Sequence, residues 1–171
     1  PTAACMLLGI NDIGRGHYGK PNPDQQTLDA RQRALDAYRD NMDRIAGKLI
    51  AAGCGKLLFV TPTPYDETAQ MESENYFGCN AALARCAQYE RELAARHNAG
   101  VVDLHGPMTA LNVESQKSDP KFSIIGPDRV HPGDAGMLVI AYHFLKDQGM
   151  PGLVSRITLD DGRVVETVHA E

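Results

Sequence analysis

The sequence lacks the features of chains that bind nucleic acid or cross a membrane. No run of Lys or Arg stands out, and the formal net charge is −5. Because binding to phosphates needs clustered cations, nucleic acid is not expected as a main partner. No apolar stretch approaches the length of about 20 residues that a membrane-spanning helix needs. With 171 residues, 43% of them hydrophobic, the chain is long enough for one globular domain with a core.

Cysteine is scarce, and its spacing does not indicate disulfides. No two of the four cysteines form a CxxC pair. Cys79 and Cys86 fall on one predicted helix, which holds them about 10 Å apart, whereas a disulfide needs Cα atoms within about 7 Å. We therefore expect buried thiols that pack as small hydrophobic side chains, with Cys5 in the core.

Short apolar segments alternate with longer segments of helical periodicity. This pattern predicts strands over residues 3–9, 56–60 and 100–104, and helices over about 28–52, 75–97 and 134–148. The stretch between His105 and Asp128 is predicted to be irregular. Strands that alternate with helices indicate an α/β fold, a parallel sheet with helices packed on it.

The end of the chain departs from this alternation. Residues 155–168, "SRITLDDGRVVETV", contain two short runs of β-forming residues around "DDG", which is typical of a hairpin. We therefore predict one domain over residues 1–152 and a β-hairpin tail, or the start of a further domain, over 153–171.

Polar residues follow the predicted strands, at the edge where a parallel sheet places its ligand sites. Asn11 comes after the first strand, and Asp128 and His131 lie on the loop before the last helix. The spacing of three residues lets one turn hold Asp128 against His131. Asp128 would then fix the tautomer of His131, whose other nitrogen could take a proton from a nucleophile. Asn11 can offer an amide N–H to a developing oxyanion.

Two motifs resemble blocks of the SGNH, or GDSL-type, hydrolases. "LLGIND", residues 7–12, resembles their Gly-x-Asn-Asp block, and "DRVHP", residues 128–132, resembles their Asp-x-x-His block. The resemblance runs in chain order over residues 3–148 and includes "TPTPYD". It implies a flavodoxin-like parallel sheet with flanking helices and a serine ester hydrolase that needs no metal or other cofactor.

The same resemblance implies roles for individual residues. Asn11 would be a side-chain oxyanion donor, His131 the general base and Asp128 the carboxylate that orients it. Asp12 would brace its loop rather than join the chemistry. The implied substrates are small acyl esters, such as acetyl groups on carbohydrates.

The family's nucleophile has no counterpart in this sequence. In the family, a Ser in a Gly-Asp-Ser block follows the first, central strand, ahead of the Gly-x-Asn-Asp block. Only eight residues precede Gly9 here. No serine of the chain follows a strand in such a context; they are Ser73, Ser115, Ser118, Ser123 and Ser155. We therefore expect the nucleophile to come from outside this chain, and the 171-residue chain alone to be inactive.

The same comparison predicts an incomplete sheet. We expect a missing N-terminal segment, or another chain, to supply the preceding strands. Without them, the strand over residues 3–9 would be a bare hydrophobic edge, which favours pairing with another polypeptide.

Two other interpretations stay open. A metal-dependent hydrolase could gather His17, Asp103, His105, Asp128 and His131 around an ion, although they form no compact motif such as HExxH. A chain without a nucleophile could also be a non-catalytic ligand-binding fragment.

Overall fold

Strands and helices alternate along most of the chain, in a computed structural model that describes residues 1–153 and 155–168. In chain order the elements are β1 (Ala3–Met6), α1 (Gln25–Ala51), β2 (Lys56–Val60), α2 (Cys79–His97), β3 (Gly100–Val102), α3 (His105–Ser115), α4 (Asp134–Asp147), β4 (Arg156–Asp160) and β5 (Arg163–Val168). A short 3-10 helix, Arg15–His17, lies in the loop between β1 and α1. The predicted alternation of strands and helices is confirmed.

The first three strands form one parallel sheet in the order β1-β2-β3. Ala4 of β1 lies opposite Leu57 of β2, and Phe59 of β2 lies opposite Val101 of β3. Parallel neighbours need long crossover connections, and the segments containing α1 and α2 provide them. The carboxyl ends of all three strands therefore lie at the same edge of the sheet.

Among the described strands, β1 pairs with β2 alone, so it forms an edge of the sheet. Leu7 and Leu8, just beyond β1, are 47% and 45% exposed. The predicted edge position of this strand is confirmed, although β1 ends at Met6 and not at Gly9. The prediction that Cys5 is buried is wrong, since Cys5 is exposed. A residue on an edge strand is buried only where another element covers it.

Helix α1 begins at a capping residue and buries one apolar stripe. The Asp24 carboxylate accepts a hydrogen bond from the Thr27 N–H at 2.7 Å, which satisfies one of the free donors of the first turn. Leu35, Tyr38 and Met42 recur at helical spacing and are all buried. Within the described residues, no helix has both the length and the hydrophobicity to cross a membrane.

Side chains of the sheet alternate between two hydrophobic cores. Leu57 and Phe59 belong to the core that α1 and α2 cover. Val60 and Val102 point to the other core, which includes Met108 of α3 and part of α4. Helices therefore cover both faces of the sheet, as a parallel sheet requires.

The stretch after β3 is more regular than predicted, because α3 occupies residues 105–115. This segment contains Gly106 and Pro107, two residues that are unfavourable inside a helix. Pro107 is the third residue of α3, however, and a helix makes no intrahelical hydrogen bond from the N–H groups of its first turn. Met108 and Asn112 lie on the buried face of α3. The prediction of an irregular segment is therefore wrong here.

The predicted C-terminal hairpin is confirmed, since β4 and β5 pair antiparallel. Asp161 and Gly162 connect them, and both have positive φ angles of 45° and 72°, as tight hairpin turns require. The predicted tail also includes Val154 and residues 169–171, which lie outside the described residues. The domain boundary after residue 152 stays a prediction.

Candidate active site

Asp128 and His131 form a hydrogen-bonded pair on the loop before α4. Asp128 Oδ2 and His131 Nδ1 lie 2.5 Å apart. The His131 side chain is 82% exposed and that of Asp128 is 50% exposed. A carboxylate only accepts hydrogen bonds, so Nδ1 carries the hydrogen and Nε2 is left with a lone pair. The structure thus brings these two predicted side chains together, and their catalytic roles stay predictions.

The loop over residues 126–131 closes on itself and fixes this pair. The Gly126 N–H donates to the His131 carbonyl at 2.6 Å, and the Arg129 N–H donates to the Gly126 carbonyl at 2.9 Å. Asp128 Oδ1 accepts from the N–H groups of Val130 and His131, each at 3.0 Å. An Asp side chain that accepts from the backbone two residues on is a common turn device. The carboxylate is therefore held by its own loop as well as by the imidazole.

The charge state of Asp128 follows from these contacts. The His131 side chain, and then the N–H groups of His131 and Val130, hydrogen-bond the charged carboxylate and lower the pKa of Asp128 to about 2. The carboxyl is therefore ionised at neutral pH. An ionised group on Nδ1 can both orient an imidazole and stabilise its protonated form.

Asn11 lies in the turn that follows β1. The N–H groups of Asp12 and Ile13 donate to the Gly9 carbonyl at 2.9 and 3.1 Å. The Gly9 N–H donates to the Asp12 carboxylate at 3.1 Å, so Asp12 braces the turn as predicted. Gly9 has a φ of +147°, and a Cβ there would lie 3.0 Å from the Pro62 side chain. Only glycine fits this position without strain.

The Asn11 side chain is exposed and lines a cavity of about 130 Å³. The other residues around this cavity come from β1 and from the loops after β1 and β2: Leu7, Leu8, Gly9, Ile10, Asp12, Pro62 and Thr63. His131 is not among the described residues that line it. The structure therefore brings Asp128 to His131 but leaves Asn11 outside that pair, and the joint action of all three stays a prediction.

Two side chains of the predicted metal-ligand set, Asp103 and His105, contact other residues. The Asp103 carboxylate pairs with Arg91 at 2.9 Å, and His105 Nε2 lies 3.0 Å from Asn80 Oδ1. Burial lowers the pKa of His105, so its imidazole is neutral at physiological pH. In the part of the chain that the structure describes, no three His, Cys, Asp or Glu side chains gather around one point. The proposed ligand set is not assembled there.

Two buried charged residues beside the pair were not identified from the sequence. Asp66 and Arg129 are each 3% exposed. The Asp66 carboxylate accepts from the Ser123 hydroxyl at 2.5 Å and from the N–H groups of Thr68 and Ala69 at 3.0 Å. Burial acts to raise the pKa of Asp66, but these hydrogen bonds outweigh it and hold that pKa below its usual value.

The position of Asp66 and Arg129 in short motifs was the signal that could have identified them. Asp66 ends "TPTPYD" and Arg129 is the second residue of "DRVHP". Their burial depends on how the two loops meet, which no local pattern indicates. Ser123 is also part of this network, because its hydroxyl accepts from the Ile125 N–H at 3.0 Å as well as donating to Asp66.

Comparison with known proteins identifies a family whose sequence model matches most of this chain. A sequence model of GDSL-like lipases and acylhydrolases matches residues 1–144. No curated protein sequence matches the chain.

Several solved structures have the same fold. A gut microbial diltiazem-metabolizing enzyme is 30% identical, with a TM-score of 0.86 over 98% of this chain and 38% of its own. An acetylxylan esterase from Geobacillus stearothermophilus is 21% identical, with a TM-score of 0.62 over 87% of this chain and 60% of its own. An alpha/beta hydrolase from the metagenome of Lake Arreo, Spain, is 22% identical, with a TM-score of 0.60 over 88% of this chain and 61% of its own.

This chain therefore spans less than two thirds of the length of each of these proteins. Its three-stranded parallel sheet and flanking helices have the arrangement of SGNH-type hydrolases, as the resemblance implied. The match over residues 1–144 shows that the chain belongs to the GDSL-like lipase/acylhydrolase family, the SGNH hydrolases.

Proposed function

We propose that this chain carries the general base, its orienting carboxylate and one oxyanion donor of a serine ester hydrolase. The observation that carries the proposal is the 2.5 Å contact between Asp128 and His131. With an ionised carboxylate on Nδ1, the imidazole keeps an acceptor at Nε2, as a general base must. Membership of an acylhydrolase family supports ester hydrolysis as the reaction.

In this mechanism His131 Nε2 takes the proton of a Ser hydroxyl as the Ser oxygen bonds to the acyl carbon of the ester. Negative charge moves to the carbonyl oxygen, to which the Asn11 amide donates a hydrogen bond. The bond to the alcohol then breaks, and Nε2 returns its proton to the departing oxygen. A water molecule, deprotonated by the same nitrogen, releases the acid and restores the Ser.

The nucleophilic Ser comes from outside this chain, either from an adjoining segment of the same protein or from another polypeptide. The uncovered edge of β1 supports this proposal, because a parallel strand added there would end near the Asn11 turn. The Ser123 hydroxyl supports it as well, since that group already donates to Asp66. The 171-residue chain is then inactive by itself.

The substrates are small acyl esters, with acetyl groups on carbohydrates as the first class to test. The likeness in fold to an acetylxylan esterase supports the choice of acetylated sugars.

A fluorophosphonate probe tests the proposal, because it labels only an activated serine. We expect no labelling of the isolated chain. After co-expression with the preceding segment of its gene, we expect labelling of a Ser in that segment, and the label should be lost in a His131→Ala variant.

Three outcomes would contradict parts of this proposal. Labelling of a serine within residues 1–171 would rule out an external nucleophile. No labelling in either preparation would favour a non-catalytic ligand-binding fragment. Ester hydrolysis that a chelator abolishes would favour the metal-dependent alternative.

A further inference from the structure

The segment between Asp128 and His131 contains a buried arginine with no carboxylate partner. Arg129 is 3% exposed, and it takes part in no ion pair within the described residues. A buried guanidinium is costly unless its N–H groups find acceptors.

Backbone carbonyls of one neighbouring loop accept every hydrogen bond of this guanidinium. Nε donates to Ser73, Nη1 donates to Asp66 and Ala69, and Nη2 donates to Met71 and Ser73, at distances between 2.9 and 3.2 Å. A guanidinium has five N–H donors, so all of them are used. A lysine has three donors on one atom and cannot reproduce this fork.

The backbone of Arg129 is fixed as well. Its carbonyl accepts from the Asp66 N–H at 3.1 Å, and its N–H donates to the Gly126 carbonyl at 2.9 Å. Its φ of 65° lies in the left-handed region, which is unfavourable for a residue with a side chain. Such a conformation persists when the surrounding contacts determine it, as they do here.

The loop that accepts these bonds is itself anchored. Asp66 binds the N–H groups of Thr68 and Ala69 and the hydroxyl of Ser123. Gln116, directly after α3, also donates to the Asp66 carboxylate at 3.1 Å. The loop that accepts the hydrogen bonds of Arg129 is therefore itself held in place by side-chain and backbone hydrogen bonds.

We propose that Arg129 is a positioning residue for the Asp128–His131 pair, an inference that rests on the proposed function of that pair. The backbone turn at Arg129 brings the N–H groups of Val130 and His131 onto the Asp128 carboxylate. Loss of the guanidinium contacts frees this turn, so Asp128 loses its backbone donors and its alignment with the imidazole. Arg129 acts through Asp128 and His131 and does not touch the substrate.

The first test needs no catalytic activity. In ¹³C NMR titrations, the pKa of the Asp128 carboxyl should be about 2 in the wild-type protein. In Arg129→Lys it should rise toward the value of about 3.9 that is usual for aspartate. Arg31→Lys is the matched control, because Arg31 also donates to a loop carbonyl, that of His17, and it should leave Asp128 unchanged.

A second variant keeps the test valid if Arg129→Lys does not fold. Arg129→Gly removes the guanidinium but tolerates the positive φ angle, and it should show the same rise in the pKa of Asp128. In the active protein, either variant should lower kcat at least about tenfold with KM nearly unchanged, the pattern for lost alignment in the transition state.

Unchanged titration of Asp128 in a folded Arg129 variant would overturn the inference and leave Arg129 with a structural role only. This result is distinct from failure of the proposed function. If the proposed function fails, Asp128 still titrates differently in the variant, but substitution of Asp128 itself does not affect ester hydrolysis.

Discussion

Tyr38 and Glu90 meet in the core between α1 and α2, where the Tyr38 hydroxyl donates to Glu90 Oε1 at 2.6 Å. Glu90 is 0% exposed, and Oε2 has no hydrogen-bond partner among the described residues. Burial raises the pKa of Glu90 to about 8, although the Tyr38 hydroxyl acts in the opposite direction. The carboxyl is therefore largely protonated at neutral pH, and the two helices are joined by a neutral hydrogen bond.

This pair makes folding stability depend on pH. Between the pKa of an unfolded Glu, about 4.3, and the folded value of about 8, the folded state holds a proton that the unfolded state has lost. The stability from Glu90 is thus fully present below the lower pKa and is lost as pH rises through the upper one. Glu90→Gln should remove this dependence, because an amide does not ionise.

Urea unfolding at a series of pH values measures the effect. The free energy of unfolding of Glu90→Gln, relative to wild type, should increase by on the order of 1 kcal/mol per pH unit between pH 5 and 8. Glu92→Gln, at an exposed position two residues further along α2, is the control and should show no such trend. A constant difference for Glu90→Gln would mean that Glu90 is ionised in the core.

Asp128→Asn should impair catalysis without unfolding the protein. The substitution removes the ionised acceptor at His131 Nδ1, so the imidazole loses both its fixed tautomer and the charge that stabilises its protonated form. We expect kcat for p-nitrophenyl acetate to fall by on the order of 10²–10⁴ in the active protein. Asp134→Asn changes an exposed Asp three residues beyond His131 and should have little effect. Equal loss in both variants would exclude a specific role for Asp128.

Asn11→Ala tests the oxyanion assignment. If the Asn11 amide donates only to the developing negative charge, kcat should fall by about 10²–10³ while KM changes little. Asn22→Ala, in the exposed loop before α1, serves as the control. A higher KM with normal kcat would instead place Asn11 in contact with the bound ester before reaction.

The sheet and the Asp128–His131 contact could be predicted because each depends on local pattern. Continuous apolar runs between helical segments indicate buried parallel strands. A spacing of three residues lets one turn hold Asp128 against His131, so the local sequence indicates this contact. The bare edge of β1 followed from family strand order and the position of Gly9 in the chain.

Other features depend on tertiary contacts that local patterns do not encode. Cys5 was predicted to lie in the core, but its strand is an edge of the sheet and Cys5 is exposed. The stretch after β3 was predicted to be irregular, but its first part forms α3. Buried Glu90 depends on Tyr38 for its hydrogen bond. Buried Arg129 depends on backbone carbonyls of residues 66–73. Both sets of partners are distant in sequence. Charged residues are rarely buried, so neither position stood out.

The most direct measurement of the central claim is turnover of p-nitrophenyl acetate by His131→Ala in the active protein, with the nucleophile segment present. Without Nε2 no group takes the proton of the Ser, so kcat should fall by at least about 10³-fold while circular dichroism shows an intact fold. His17→Ala, which alters another exposed histidine, should retain wild-type turnover. Near-normal turnover by His131→Ala would contradict the assignment of His131 as the general base.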